Sequence, residues 1–559
     1  MAEQGARVPL AEYLDEEAPT DTAAMQAAID AAGDGGGGRV VVPPGEYETG
    51  TVRLRSDVTL HLEAGATVFA SPDEADYADE RVGPDGERPF LVAEGCRNVA
   101  LTGRGTFHGR GTEIMRMDDP IEGHSGESSA HPLVTSGAHD ALQGEDYLDR
   151  SLGTDDWPVA KPEFRPGPMF LFADCENVLV ADLTLRNMPS WTLHFEGSTG
   201  IDVRGVDVLG NKYIPNNDGI AVTDSRDVNV SDCTVVTCDD SIVLNGTSRI
   251  DGYCGDVTVT NCTLESNACA IKFGSGTDGP MRNFCFQNIT VRGTNRGLGI
   301  QHRDSGTIEN VLFSDIVVET RLLSGPWWGK AEPIYLTSLP RTDDTDLGSV
   351  RNVRFSNVVA SSENGALVYG SDDASIEGVT FDDVRIDISG SEKGDRTGGN
   401  FDLQPTSAET PIVERDISAL HCEGVTDLAV RDVRVEWNEG LPDYYTHGLA
   451  CVDAAEVAVD GFDGRQAHSH PDEEGVAVSL ERVETVSIRD SRARPGTGQF
   501  LAVDDVSDAR LFAGNDLADA AAVGLAGVGG AVDDGDEGTG DEETGGDSGF
   551  TTSGNVPPS

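Results

Sequence analysis

The sequence predicts an all-β chain folded as a right-handed parallel β-helix, a solenoid with a short N-terminal capping helix. Three observations predict it. A short alternating strand returns at a spacing of roughly 23 to 29 residues, a unit too small to bury its own apolar face, so successive units must stack on one another. The 67 glycines and 26 prolines are spread through the chain, which suits short strands joined by turns and disfavours a helical bundle. One early segment carries an apolar stripe at helical spacing, of the length a cap for an open coil stack needs.

Taken in order, residues 1–19 read as an N-terminal extension. Residues 1–7 contain neither the apolar run of a secretory leader nor a twin-arginine pair, and no later window is apolar enough to span a bilayer. The expectation from these absences is a cytoplasmic, soluble protein. Residues 21–32 begin with Asp21-Thr22, good helix-start residues, and read as the capping helix. The glycines at 35–38 precede Val40-Val41-Val42, but no Gly-Lys-Ser/Thr follows, so a phosphate loop is not supported. A single β-helix domain is expected over 20–525. Its strands return at Asn98-Val99-Ala100-Leu101, Asn177-Val178-Leu179-Val180, Ile201-Asp202-Val203, Val228-Asn229-Val230, Val257-Thr258-Val259, Asn283-Phe284-Cys285-Phe286 and Asn310-Val311-Leu312-Phe313. They resume at Asn352-Val353-Arg354-Phe355, Leu428-Ala429-Val430, Val457-Ala458-Val459 and Val486-Ser487-Ile488. Residues 112–164 are irregular and read as a loop insertion beside a groove. Residues 526–559 are rich in Gly, Asp, Glu and Thr, bury too little apolar surface to order themselves, and read as a disordered acidic tail.

Charge narrows the partners. With 98 acidic against 40 basic side chains the formal charge is −58, a surface that repels nucleic acid and anionic membranes. Self-repulsion on this scale is tolerable where the Debye length falls to about 3 Å, as in molar salt, so a salt-adapted protein is expected. Most of the carboxylates are then solvated surface. The ten cysteines, Cys96, Cys175, Cys233, Cys238, Cys254, Cys262, Cys269, Cys285, Cys422 and Cys451, show no paired CxxC spacing, which leaves zinc unsupported. Several fall in strand-like runs and read as reduced core thiols, with Cys233 and Cys262 stacked on neighbouring coils.

The run from residue 21 to Ala66, through Gly45-Glu46-Tyr47, and the segment Gly103-Arg104-Gly105-Thr106-Phe107-His108-Gly109 resemble the start of pectin-degrading β-helix enzymes. Pro189-Ser190-Trp191-Thr192-Leu193-His194, Asn216-Asn217-Asp218-Gly219-Ile220 and Cys238-Asp239-Asp240-Ser241-Ile242 resemble, in order, successive motifs of glycoside hydrolase family 28, the polygalacturonase family. The resemblance covers about residues 20 to 340 and is strongest from 165 to 305. It implies hydrolysis of a glycosidic bond in a pectin-like acidic glycan, with no cofactor and a carbohydrate as the partner.

The residues carry that chemistry in their own right. Asp218 and Asp240 each stand two positions before an isoleucine, Ile220 and Ile242, so aligning the isoleucines puts both carboxylates at equivalent positions of adjacent coils, with Asp239 beside them. Neighbouring coils lie about 4.8 Å apart. Like charges that close cannot all ionise freely, leaving a protonated acid beside ionised bases, which is what glycoside hydrolysis requires. A solvated turn or a calcium site would also be consistent with clustered oxygens. The resemblance implies Asp239 as general acid and Asp218 with Asp240 as the pair that positions water, and an inverting reaction would separate acid and base by roughly 6.5–9.5 Å. It also implies Asn216 and Asn217 as sugar ligands.

The departures from the family concern its basic residues. Where the family has Gly-His-Gly, this chain has Ala268-Cys269-Ala270-Ile271-Lys272, without the histidine. Where the family has Arg-Ile-Lys, which grips a substrate carboxylate, this chain has Gly299-Ile300-Gln301 followed by His302-Arg303. Lys272 and Arg303 are the candidates to restore positive charge, with Gln301 as a further contact. His194 accompanies Trp191 and reads as either a sugar contact or a packing residue. Trp328, in Trp327-Trp328-Gly329-Lys330, suits stacking on a sugar face as well as simple covering of the solenoid, and Glu332 suits an added polar contact. A polysaccharide lyase, with Arg303 or Lys272 as the base, and a noncatalytic carbohydrate-binding β-helix are the alternatives.

Overall fold

The computed structural model describes the chain except for residues 1–5, 79–87, 116–163, 213, 215, 250–251, 324–328, 373, 411, 470–474, 525–549 and 559. It is the expected parallel β-helix. Each coil contributes up to three strands, as in Phe170–Ala173, Glu176–Ala181 and Thr184–Arg186, and each strand pairs in parallel with its counterparts on the coils above and below. Further along, two of the three merge into long bent strands such as Met281–Thr294 and Thr307–Thr320.

The predicted repeat is the internal ladder. Val178, Ile201, Val228, Val257, Phe284, Val311, Val353, Leu428, Val457 and Val486 are all buried in one row, and register places Val379 between Val353 and Leu428. That coil, Ile376–Ile388, is absent from the repeat as read from the sequence; Gly378 occupies the turn position held elsewhere by Asn or Asp. Each such apolar side chain contributes roughly 1.5–3 kcal/mol on burial. Phe286, Phe313, Phe355 and Phe381 form a parallel stack with centroids 5.0–5.2 Å apart.

The Asn and Asp residues before each strand have a specific job. Asn98, Asn177, Asn283, Asn310 and Asn352 all adopt positive φ, which their short polar side chains tolerate. Their amides then stack along the axis: Asn177 Nδ2 donates to Asn98 Oδ1 at 3.0 Å and Asn352 Nδ2 to Asn310 Oδ1 at 2.7 Å. A turn preference at one residue thus becomes an inter-coil hydrogen-bond ladder.

The helix Thr22–Asp34 covers the first coils with Met25, Ala28, Ile29 and Ala32. The solenoid begins earlier than residue 20, because Ala6–Pro9 pairs with Gly38–Val42 and Leu10 is buried. It also extends beyond 525: Thr551–Ser553 pairs with the end of Thr497–Ala513. Most of the 112–164 insertion and of the 526–559 tail lies outside the described residues. Among those described, no helix is long and apolar enough to cross a membrane. Nine of the cysteines are buried, and Cys422 is in register with Cys451.

One face of the solenoid differs from the others. The strands Leu193–Glu196, Ile220–Thr223, Ile242–Gly246, Arg296–His302 and Glu332–Ser338 are buried along their whole length, outward side chains included. Part of the cover is an excursion of residues 389–416, which leaves the coil stack, forms the antiparallel pair Asn400–Asp402 with Ile412–Glu414, and lays its main chain on the outward side of the strands at 296–302 and 332–338.

Candidate active site

On that face the stacked strands act as a ruler. Leu193, Ile220, Ile242, Ile271, Leu298 and Ile334 are in register. Two positions earlier the coils present Trp191, Asp218, Asp240, Cys269, Arg296 and Glu332. One position later they present His194, Ala221, Val243, Lys272, Gly299 and Tyr335.

The structure brings the three predicted acids together. One oxygen from each of Asp218, Asp239 and Asp240 lies within 4.8 Å of the others, and the residues are only 4%, 5% and 1% exposed. That spacing is closer than the 6.5–9.5 Å expected for an acid and base flanking water in an inverting site. Lys272 reaches back one coil to join them, its Nζ 2.7 Å from Asp240 Oδ2, while the Cys269 amide donates to Asp240 Oδ1 at 3.0 Å. Burial works against the ammonium, but the facing charges of Asp240, Asp239 and Asp218 outweigh it and raise the Lys272 pKa. Lys272 therefore keeps its proton and is no base.

Asp239 is the most firmly positioned of the three. Its carbonyl accepts from the hydroxyls of Thr237 and Ser266, both at 2.6 Å, and its Oδ1 accepts from the Asp240 amide at 3.0 Å. Burial and then the charge on Asp240 push its carboxyl up to about 7, against the opposing pull of Lys272. Asp218 is held well above the ordinary carboxylate range by burial and by Asp239 and Asp240. The cluster therefore holds protons near neutrality as a coupled unit. A calcium ion would need six to eight oxygens and would have to displace an ammonium, so the arrangement suits a proton better than a cation.

The two asparagines have different roles from each other. Asn216 is half-buried, directs Nδ2 to Asp239 Oδ2 at 3.4 Å and accepts from Arg165 Nη2 at 2.8 Å. Asn217, expected to hold sugar, is committed to the protein: its Oδ1 accepts from the amides of Cys238 and Asp239 at 2.7 and 3.2 Å, and its Nδ2 donates to the Asn211 carbonyl. It clamps the turn that presents Asp239.

His194, Gln301 and Arg303 bond to other groups of the protein. His194, three coils before Lys272, is buried between Thr223 Oγ1 at 3.1 Å and the edge of Trp191. Arg303 does not restore charge to the groove. It is fully buried and donates to Thr337 Oγ1 at 2.7 Å and to the carbonyls of His302 and Leu403, because the 389–416 excursion covers it. Gln301 is covered in the same way and donates to the Gln404 carbonyl at 3.3 Å. Trp328 lies outside the described residues. Glu332 forms a buried pair with Arg296, whose guanidinium also stacks 3.5 Å above Tyr335.

The sequence offers no signal for Arg165 or for the Arg296–Glu332 pair. Arg165 sits in an irregular stretch with no repeat to index it, yet its Nη1 and Nη2 reach the Pro189 carbonyl and Asn216, and its charge acts on Asp218 and Asp239.

The same region of the chain, residues 140–400, matches the family model for glycosyl hydrolases family 28. Over these residues the chain is polygalacturonase-like and similar to that family. Among curated relatives, it is 25% identical over 236 residues to the exo-poly-alpha-D-galacturonosidase of Dickeya chrysanthemi, covering 40% of this chain and 38% of that protein. It is 24% identical over 275 residues to a probable polygalacturonase of Vitis vinifera, covering 48% and 50%. The chain thus spans half or less of those relatives' lengths. A hyperthermoactive exopolygalacturonase from Thermotoga maritima shares the fold, with a TM-score of 0.52 at 22% identity over 69% of this chain and 87% of that one.

Proposed function

We propose that the protein is a glycoside hydrolase that cleaves a glycosidic bond in a polygalacturonan-like acidic glycan. One observation carries the reading: three buried carboxylates share a space within 4.8 Å, and one of them, Asp239, holds its proton up to about pH 7. Asp239 donates that proton to the glycosidic oxygen as the bond to the anomeric carbon breaks. Asp218 and Asp240 hold a water molecule, whose oxygen bonds to the anomeric carbon while its proton passes to the carboxylate pair. The leaving sugar departs with a hydroxyl and the other fragment gains a reducing end.

The close spacing alone would suit a carboxylate nucleophile and retention. Asp240 argues against that role, because Lys272 and the Cys269 amide already occupy its two oxygens, which makes it a fixed acceptor for water and not an attacking group. We therefore assign a single displacement with inversion. NMR of the product at early times reads the anomer directly: the inverted anomer is expected, and the retained one would overturn this assignment. A lyase has no base here among its two sequence candidates, since Lys272 keeps its proton and Arg303 is buried against carbonyls. Incubation with polygalacturonate in molar salt is expected to give new reducing ends without the ultraviolet absorbance of an unsaturated uronide. Wild type and Asp239→Asn being equally inactive across acidic and neutral glycans would sink the hydrolase reading.

A further inference from the structure

We propose that Cys96 and Cys175 are a redox-active pair, which a small neutral disulfide converts into a stabilising covalent bond between neighbouring coils. Register sets the two side chains one above the other: Glu94 pairs with Ala173 and Arg97 with Glu176, so Cys96 and Cys175 occupy the same position of adjacent coils. Neighbouring coils lie about 4.8 Å apart, inside the span of roughly 4.4–6.8 Å between Cα atoms that a disulfide bridges. Both thiols point the same way. Cys96 Sγ lies 3.4 Å from the carbonyl oxygen of Glu94 and 3.6 Å from that of Leu54 one coil earlier, and Cys175 Sγ lies 3.3 and 3.4 Å from those of Ala173 and Ala93.

Holding this corner of the coil does not require sulfur. Register continues the row to Ser198 and Ser225, whose hydroxyls bond to the equivalent carbonyls, Ser198 to those of Glu196 and Phe172 and Ser225 to those of Thr223 and Phe195. What distinguishes two successive cysteines in such a row is their chemistry. Stacked thiols also occur at Cys233 with Cys262 and at Cys422 with Cys451, each 2% exposed or less. Cys96 differs by access: it is 9% exposed and lines a surface cavity of about 350 Å³ with Gly33, Gly36, Arg55 and Ser56. The formal charge of −58 favours a neutral reagent there over an anionic one. Cys285 is more exposed, but Thr258 and Leu312 are its neighbours in register, so it has no stacked thiol.

The exchange balances. Once Cys96 loses its proton, the Cys175 thiol turns from its carbonyl to the thiolate, which draws the Cys96 pKa down to about 6 against the effect of burial. The Cys96 thiolate attacks one sulfur of the reagent disulfide, that bond breaks, and one reagent thiolate leaves. Cys175 then gives up its proton and attacks Cys96 Sγ, the mixed disulfide breaks, and the second reagent thiolate leaves. Two electrons pass from the protein to the reagent, and the two protons end on the released thiols. The two coils are neighbours in space but distant along the chain: their equivalent residues Asn98 and Asn177 are 79 positions apart, against 27 for Asn283 and Asn310 on later coils. A bond here closes a long loop and removes more freedom from the unfolded chain than one between later coils.

The test treats the full-length protein, folded in molar KCl, with 2-hydroxyethyl disulfide, alkylates the remaining thiols and maps the unreduced peptides by mass spectrometry. A linkage of Cys96 to Cys175 is expected, in roughly tenfold or greater excess over linkage at the other two stacked pairs. The melting temperature should rise by roughly 2–5 °C and fall back on reduction. Cys96→Ser, a residue the row already holds at Ser198, should stay folded and lose both changes. A mixed disulfide that persists on Cys96 while Cys175 stays free would mean an ordinary accessible thiol and would overturn the proposal. An unmodified Cys96 would also overturn it, as would equal linkage at all three pairs, since stacking without access would then be enough. Linkage with no rise in melting temperature would show a bond that does not stabilise the coils, and the proposal would fall.

Discussion

Replacing Asp239 with asparagine should make the protein inactive and, above mildly acidic pH, more stable. The carboxyl is pushed up to about 7 in the folded chain from an ordinary 3.8, a difference of about 3 units. At about 1.36 kcal/mol per unit this amounts to about 4 kcal/mol, a ceiling because the neighbouring Asp218 shares the titration. The sign follows from proton binding. Below pH 3.8 folded and unfolded chains are both protonated at this site and the carboxyl contributes nothing. Between 3.8 and 7 the folded chain holds a proton that the unfolded chain has lost, so wild-type stability falls as pH rises, and above 7 the penalty is complete. Asparagine has no charge to bury. It gives up the 3.4 Å bond from Asn216, a pH-independent loss of about 1 kcal/mol. Asp239→Asn should therefore be slightly less stable than wild type at pH 4, cross it near pH 5, and be more stable at pH 8, with kcat reduced by roughly 10²–10⁴. Urea unfolding of both proteins from pH 4 to 8 in molar KCl measures this. A stability difference that is the same at pH 4 and pH 8 would show that Asp239 is not held protonated, and the general-acid assignment would lose its physical basis.

Three further perturbations probe the same site and its surroundings. Lys272→Gln leaves Asp240 buried without its cation and should cost roughly 3–5 kcal/mol of stability near neutral pH; adding Asp240→Asn should recover part of that loss, and urea unfolding of the single and double variants distinguishes this from a general packing defect. Asn217→Ala removes the acceptor for the Cys238 and Asp239 amides, so kcat should fall while KM for substrate stays within about twofold, as steady-state kinetics would record for a residue that positions the acid without touching sugar. With a charge of −58, thermal stability should rise steeply between 0.1 M and molar KCl as the Debye length falls from about 10 to about 3 Å, and a salt-independent melting temperature would remove the case for salt adaptation.

What could be read from the sequence and what could not divide along a physical line. The coil ladder, the capping helix and the meeting of Asp218, Asp239 and Asp240 all follow from register, which is periodic and therefore visible: residues that stand two before an isoleucine on one coil stand beside those two before an isoleucine on the next. Lys272 was legible on the same terms, one coil on and one position after the ladder isoleucine. Asn217 was placed on the right coil but in the wrong role, because register locates a side chain without saying whether its hydrogen bonds go to the backbone or to a ligand. Gln301 and Arg303 were named as candidates, but their cover was hidden for a stronger reason. Their partners at residues 403 and 404 lie about a hundred positions later, in an excursion that breaks the repeat, so nothing in the spacing records that the groove is covered there. Arg165 is the converse, a cation delivered to the acids from an irregular segment 51 residues before Asn216. The acids of this site are fixed by the solenoid itself, whereas its cation balance is set by segments laid across the solenoid.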